Sequence, residues 1–249
     1  MAPWQALLLV PAGVGAGLTG SMAGLASLIS YPALLAVGLG PVTANVTNTV
    51  SLVFNSVGSV SGSRPELAGR THRLLPLALA GLTGGALGAI LLLILPPGSF
   101  ARVVPWLIGL GSLSILLPRP AADSSRPAGR DTPAVVAAVG LIAVYGGYFG
   151  AAAGVVMLAL LLRTSHDSLP RANAVKNLVL GVSNLVAAVL FAIIGSVDWA
   201  AALPLAIGLL VGGRIGPAVV RRSPTTLLRL VIAVLGLGLA AFLAVDAYH

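Results

Sequence analysis

The chain has 249 residues, 57% of them hydrophobic and only 8% charged, with a formal net charge of +8 and no cysteine. A soluble domain carries about a quarter charged residues, so a single water-exposed globule is excluded, as are disulfides and thiolate chemistry. The basic excess does not point to nucleic acid: all of it except Lys176 is arginine, placed mainly in loops and at segment ends, where such charge sets membrane orientation.

Eight apolar stretches follow in order, at about 5–29, 33–62, 74–95, 99–117, 134–162, 174–196, 199–219 and 225–245. Most are long enough for a hydrocarbon core that needs ~20 residues. The expected fold is an all-α polytopic integral membrane protein, multi-pass in a cell membrane. The N-terminus, MAPWQALLLVPAGVGAGLTG, has no Lys or Arg ahead of its apolar run and no short apolar core with a cleavage site. It reads as part of the mature fold rather than a signal peptide.

The first stretch is crowded with Gly13, Gly15, Gly17, Gly20 and Gly24. The second carries Asn48 and Asn55, seven residues apart and therefore on one helix face, separated by about 10 Å. Ser51, Ser56 and Ser59 lie near that face. The third stretch, LLPLALAGLTGGALG from Leu74 to Gly88, contains Pro76, Gly84, Gly85 and Gly88. After the fourth comes PRPAADSSRPAGRDTP, Pro118 to Pro133, the most polar part of the chain and the expected linker.

The fifth stretch is again rich in glycine, Gly146, Gly147, Gly150 and Gly154, and Gly150-x-x-x-Gly154 matches Gly20-x-x-x-Gly24. The sixth has Asn177 and Asn184 at the same spacing as Asn48 and Asn55, with Asn173 on their face and the single lysine, Lys176, beside them. In the seventh, Pro204, Gly212, Gly213 and Gly216 repeat the third at an offset of 128, which Pro96 and Pro224 keep, while the Asn pairs recur at 129. Two homologous four-segment repeats are expected, residues 1–117 and 134–249, joined by the linker 118–133.

If all eight stretches cross once, Arg64, Arg70, Arg73, Arg119, Arg126 and Arg130 fall on one side, and Arg102, Arg163, Arg171, Arg221 and Arg222 on the other. That near-even split says little about orientation. If instead the first and fifth stretches are re-entrant, broken by their glycines, the linker and the loops around Arg64, Arg163 and Arg221 all become cytoplasmic. Each half then has three spans and a hairpin, related by inversion. Both topologies stand on sequence alone.

The glycines admit two uses. They allow close packing through small-x-x-x-small contacts, the better reading for Gly84, Gly85, Gly88 and Gly212, Gly213, Gly216. Alternatively they break a helix, and unwound backbone at membrane depth survives only where protein or a watery cavity satisfies it. The N–H groups of a half-helix then favour an anion, which makes Gly20 and Gly150 candidate substrate-binding positions.

The asparagines are equally double. Membrane Asn often bonds helix to helix, but recurrence in both halves favours a shared polar site. Amides and hydroxyls donate to an oxyanion without a full charge, as a site that binds and releases requires. Asn48, Ser51, Asn55, Asn177 and Asn184 are the candidates. Lys176 is either a residue snorkelling from a helix start or a compact positive charge at the edge of the site, reinforced by a helix N-terminus. Arg214, near the end of its segment, reads as a snorkelling residue.

Glu66, Asp123, Asp131, Asp167, Asp198 and Asp246, with His72, His166 and His249, all lie in loops or near segment ends. An intramembrane protease would need a buried base or metal ligands at depth, so no enzyme, metal or cofactor is implied. The carboxylate relays of proton-coupled carriers are missing too. An anion leaving a cell with a negative interior gains ~2.3 kcal/mol per charge per 100 mV, so export needs no coupling ion.

The residues resemble the TauE/SafE, or sulfite exporter, family of membrane permeases over nearly the whole chain. The carriers are the Gly-rich first segment ending in Tyr31-Pro32, the run Thr43-Ala44-Asn45-Val46-Thr47-Asn48, and Pro76 with Gly84-Gly85. In the second half they are Gly146-Gly147 to Gly154, then Arg171-Ala172-Asn173-Ala174-Val175-Lys176-Asn177, then Asp198-Trp199 leading to Pro204. The resemblance implies a two-halved permease moving sulfite, organosulfonates or similar small anions, often outward, with Asn48, Lys176 and Asn177 as site positions. Gly20-Ser21-Met22-Ala23-Gly24 departs from the consecutive glycines more usual there. A secondary permease exporting a small sulfur-containing anion by alternating access is therefore expected. An importer, a channel for another anion, and a non-transporting scaffold subunit are the alternatives, with homo-oligomerisation open.

Overall fold

The computed structural model describes residues 3–69, 71–96, 132–165 and 167–220, with isolated positions between 102 and 109 and between 234 and 245. The expected fourth and eighth segments and nearly all of the linker lie outside these residues. The described chain forms α1 (Pro3–Ala23), α2 (Ser27–Ala36), α3 (Pro41–Gly62), α4 (Arg64–Leu67), α5 (Thr71–Ile94), α6 (Pro133–Tyr148), α7 (Ala153–Thr164), α8 (Leu169–Ile194) and α9 (Trp199–Val220), with no strand among the described residues.

Local sequence accounts for the helix starts. Proline opens α3, α6 and α8 in the first turn, where its missing N–H leaves no bond unmade, and Thr132 caps α6 by accepting from Val135 N. Helices α1, α5, α8 and α9 are long and apolar enough to cross a membrane. Exposed Leu75, Leu79, Leu82 on α5 and Leu203, Ile207, Leu210 on α9 form the outward stripes suited to lipid. Helix α3 has 22 residues but is polar, with thirteen of them buried, and is enclosed by the others. The protein is membrane-embedded.

The first two sequence stretches become three helices and the fifth becomes two, because the chain breaks inside them. Gly24 (φ 79°) ends α1, and Gly150 (φ 73°) with Ala152 (φ 58°) separates α6 from α7. These are left-handed conformations that glycine adopts without penalty.

Backbone contacts fix the helix directions. Gly13 lies against Gly208 and Gly17 against Gly212, so α1 and α9 run parallel. Gly58 against Leu210 and Gly62 against Pro217 make α3 parallel to α9 as well. In the same way Gly84 meets Gly140 and Gly88 meets Tyr148, while Gly81 meets Val179 and Gly85 meets Ser183, so α5 is parallel to α6 and to α8. In contrast α3 and α8 oppose each other, with Gly181 at Ser56 and Gly195 at Val46. Two bundles result: α1, α2 and α3 with α9, and α6, α7 and α8 with α5. The last described long helix of each half packs in the other half's bundle.

Since α1 and α3 run the same way, α2 returns the chain between them, and Gln5 Nε2 donates to the Val37 carbonyl at the base of that hairpin (3.2 Å). Arg73, in the first turn of α5, pairs with Asp167, just ahead of α8. Were every stretch to cross once, the third and sixth would start on opposite faces. The ion pair and the parallel course of α5 and α8 exclude that arrangement.

Candidate functional site

The two chain breaks meet. A Cβ placed on Gly24 would collide with the Gly154 Cα, and the converse holds, so no larger residue fits at either position without moving backbone. Beside this contact lies a cavity of about 50 Å³, room for about three or four waters. Its walls are the first break (Gly20, Gly24, Ala26, Ser27), the second (Gly146, Gly150, Ala153, Gly154), α3 (Leu52, Asn55, Ser56) and α8 (Lys176, Asn177, Leu180, Asn184). No Asp or Glu is among them.

Six of the eight residues singled out by sequence therefore share one cavity: Gly20, Asn55, Gly150, Lys176, Asn177 and Asn184. Asn48 lies one residue behind it. Its Oδ1 accepts from Ser30 Oγ (2.6 Å) and its Nδ2 donates to Ser27 Oγ (3.2 Å), and Ser27 lines the wall. Ser51 is turned to α9, donating to the Thr47 and Ala202 carbonyls at 2.9 and 3.2 Å, and joins the two helices. Neither Asn48 nor Ser51 lines the cavity.

Lys176 is 1% exposed, which rules out a snorkelling head at the helix start. Its Nζ donates to the Gly20 carbonyl at 3.0 Å and reaches the Ser21 carbonyl at 3.5 Å. The charge thus sits against the negative, C-terminal end of α1, not beside a helix N-terminus as the sequence suggested. Two N-termini do open on the cavity, however: α2 starts at Ser27 and α7 at Ala153, and both residues are in its wall. Most of their first-turn N–H groups are met by the turns that precede them, Leu28, Ile29 and Ser30 by the Leu25 and Ala26 carbonyls and Ala153, Val155 and Val156 by the Gly150 and Ala152 carbonyls, so what faces the cavity is the positive end of each helix dipole. Arg214 is exposed on α9, as a residue reaching for headgroups would be.

Asn177 Nδ2 donates to the Ser21 carbonyl (3.2 Å). Asn55 Nδ2 lies against Gly20, whose added Cβ would come within 2.9 Å of it, while its Oδ1 is buried without a partner among the described residues. The cavity is lined by cation and amide and is bounded by main-chain dipoles.

The sequence placed Asn173 on the second Asn face and Asn45 in the run ending at Asn48 but made neither a site residue, and these are the two asparagines that hold the breaks. Asn173 Nδ2 donates to the Ser21 carbonyl (2.7 Å) and Asn45 Nδ2 to the Tyr148 carbonyl (2.8 Å). Their signal was the offset of 128, which aligns Thr43-Ala44-Asn45 with Arg171-Ala172-Asn173 and puts Asn48 opposite Lys176. The contacts of α3 and α8 follow that register. A Cβ on Gly213 would meet Asn55 and one on Gly85 would meet Ser183, and Asn55 and Ser183 are 128 apart. The pairing of the Asn stripes at 129 is corrected accordingly.

The sulfite exporter TauE/SafE family matches residues 9–243. Similar curated proteins include the probable membrane transporter protein YfcA of Escherichia coli strain K12, 26% identical over 94% of this chain and 87% of that protein. The probable membrane transporter protein ORF9 of a Sinorhizobium species is 28% identical over 94% of this chain and 90% of its own length. A probable membrane transporter protein of Haemophilus influenzae is 26% identical, with coverages of 96% and 94%. No solved structure matches significantly. The chain belongs to the TauE/SafE family and is a membrane transporter.

Proposed function

We propose that this TauE/SafE transporter exports a small sulfur-containing oxyanion, sulfite or a short organosulfonate, across a bacterial plasma membrane. The observation that carries the reading is Lys176, buried in the wall of a carboxylate-free cavity on which the N-termini of two helices open. Such a wall favours an anion. Asn55, Asn177 and Asn184 supply amides for its oxygens, and a volume of about 50 Å³ favours the smaller members of the class. Export follows from energy: an inside-negative potential drives an anion out at ~2.3 kcal/mol per charge per 100 mV.

The same reading takes residues 1–117 and 134–249 as inverted repeats, each with a hairpin, α1–α2 and α6–α7. In its support, α1 and α3 run opposite to α6 and α8, and Arg73 and Asp167 pair on one face. Alternating access then runs between the two exchanged bundles rather than between the repeats as they follow in sequence. Within each bundle backbones interlock through glycine, and the cavity lies between the bundles, where α3 crosses α8.

The test is efflux of labelled sulfite and methanesulfonate from proteoliposomes under an inside-negative potential. Saturable efflux that Lys176→Met abolishes supports the reading. Equal, non-saturating leakage of every anion in a panel sinks it in favour of a non-transporting role.

A further inference from the structure

A helix that stops inside the protein leaves its last carbonyls without intrahelical partners, and at membrane depth they must be met from elsewhere. At the end of α1 the Gly20 carbonyl accepts from Gly24 N (2.8 Å) and from Lys176 Nζ (3.0 Å). The Ser21 carbonyl is met from α8, by Asn173 Nδ2 at 2.7 Å, Asn177 Nδ2 at 3.2 Å and Lys176 Nζ at 3.5 Å. At the end of α6 the Tyr148 carbonyl accepts from Asn45 Nδ2. Asn45 and Asn173 are 0% and 2% exposed, and in each the Oδ1 has no partner among the described residues. Leaving a buried acceptor unmet is unfavourable, so these amides are placed for their N–H groups.

We propose that Asn173 is a positioning residue that sets the anion affinity of the cavity through Lys176, and that Asn45, its equivalent, holds the other break without that effect. The proposal rests on the anion-site reading. A carbonyl oxygen has two lone pairs, yet the Ser21 oxygen faces three donors. Asn173, the nearest, holds one site and keeps Lys176 Nζ at the longest of the three distances, so that its shorter bond goes to the Gly20 carbonyl, a residue of the cavity wall. Without Asn173, Lys176 and Asn177 close on the vacated oxygen and are drawn away from the cavity. Asn48, opposite Lys176 in the repeat register, bonds Ser27 and Ser30 instead, so Asn45 has no cation to orient.

Lys176 is the only lysine, so an amine-reactive imidoester marks it and the N-terminus alone, and mass spectrometry of its peptide reports how freely the ammonium is presented. In the full-length protein without anion, Asn173→Ala is expected to slow Lys176 labelling severalfold, whereas Asn45→Ala labels like wild type. In proteoliposomes the half-saturating sulfite concentration rises about tenfold for Asn173→Ala, the loss of roughly one hydrogen bond's worth of orientation, with maximal flux kept. Asn173→Leu, close in size but without the donor or any added charge, gives the same direction of change and replaces the alanine variant if that variant does not fold. Wild-type labelling together with wild-type half-saturation in a folded Asn173 variant overturns the proposal. If labelling slows but no anion is carried by wild type, the positioning stands and the anion reading fails; equal slowing in Asn45→Ala removes the claimed difference between the halves.

Discussion

The two hairpin ends have the same construction and different loads. At the end of α1 the Ser21 carbonyl is met by three donors from α8, one of them the ammonium of Lys176, and at the end of α6 the Tyr148 carbonyl is met by the neutral amide of Asn45. In the repeat register Lys176 stands where the other half has Asn48, whose bonds go to two serines of α2. Two similar chain breaks therefore enclose a single polarised site. The equivalent asparagines keep both breaks soluble in protein, and one lysine gives the cavity its sign.

Removing that sign is the largest test of the difference. Lys176→Met is expected to cut sulfite efflux about 100-fold, as loss of a desolvated charge contact does, while Asn48→Met lowers it about tenfold or less; equal losses, read by tracer efflux, would show that the charge carries no special role. Next comes the grouping of the helices. The chain has no cysteine, and a Cβ on Gly140 would stand 3.8 Å from that of Ala80, ideal for a disulfide. Oxidised Ala80→Cys/Gly140→Cys joins the two repeats inside one bundle and should leave flux within about twofold, as it freezes nothing that moves. Oxidised Ser56→Cys/Gly181→Cys joins the bundles, with α3 and α8 parting slightly because the two Cβ atoms would otherwise stand 2.8 Å apart, closer than in a disulfide, and should stop flux until reduced. Block by both pairs would restore the repeats themselves as the moving units.

A smaller effect separates the two kinds of positive-φ glycine. Gly24→Ala meets the Gly154 backbone as well as an unfavourable conformation, and is expected to lose more than about 3 kcal/mol, seen as lost folded yield in detergent. Gly38→Ala has the same handicap of φ with nothing within 4 Å of its Cβ, and should cost about 1 kcal/mol. The smallest change is Ser51→Ala, which removes a hydroxyl shared between two carbonyls outside the cavity. About 1 kcal/mol of stability and unchanged half-saturation are expected, and a raised half-saturation would put Ser51 back in the site.

Much of this was legible in advance. The Gly84, Gly85, Gly88 and Gly212, Gly213, Gly216 motifs read as packing surfaces because a helix face of small residues has few other uses, and they are the faces where α5 meets α6 and α8 and where α9 meets α1 and α3. Gly20 and Gly150 marked the broken regions, and four of the six polar side chains proposed, Asn55, Lys176, Asn177 and Asn184, converge on the cavity. Ser51 and Asn45 show where legibility ended. A hydroxyl can turn to either of two carbonyls, and an amide can meet a backbone group 103 residues away; periodicity assigns the face but not the partner.

The sequence by itself determined that this is a helical membrane protein, where glycines allow its helices to break or pack, and that it has a single lysine beside a stripe of asparagines. Those properties depend on composition, on local backbone freedom and on an internal offset, all of which are one-dimensional. Tertiary structure alone decided that α5 and α9 are exchanged between bundles, that the two breaks touch at Gly24 and Gly154, and that Lys176 rests on the end of α1. A hydrophobic pattern cannot choose among apolar neighbours, since lipid and helix are equally apolar to it. The choice comes from backbones close enough to interlock and from carbonyls that must be met.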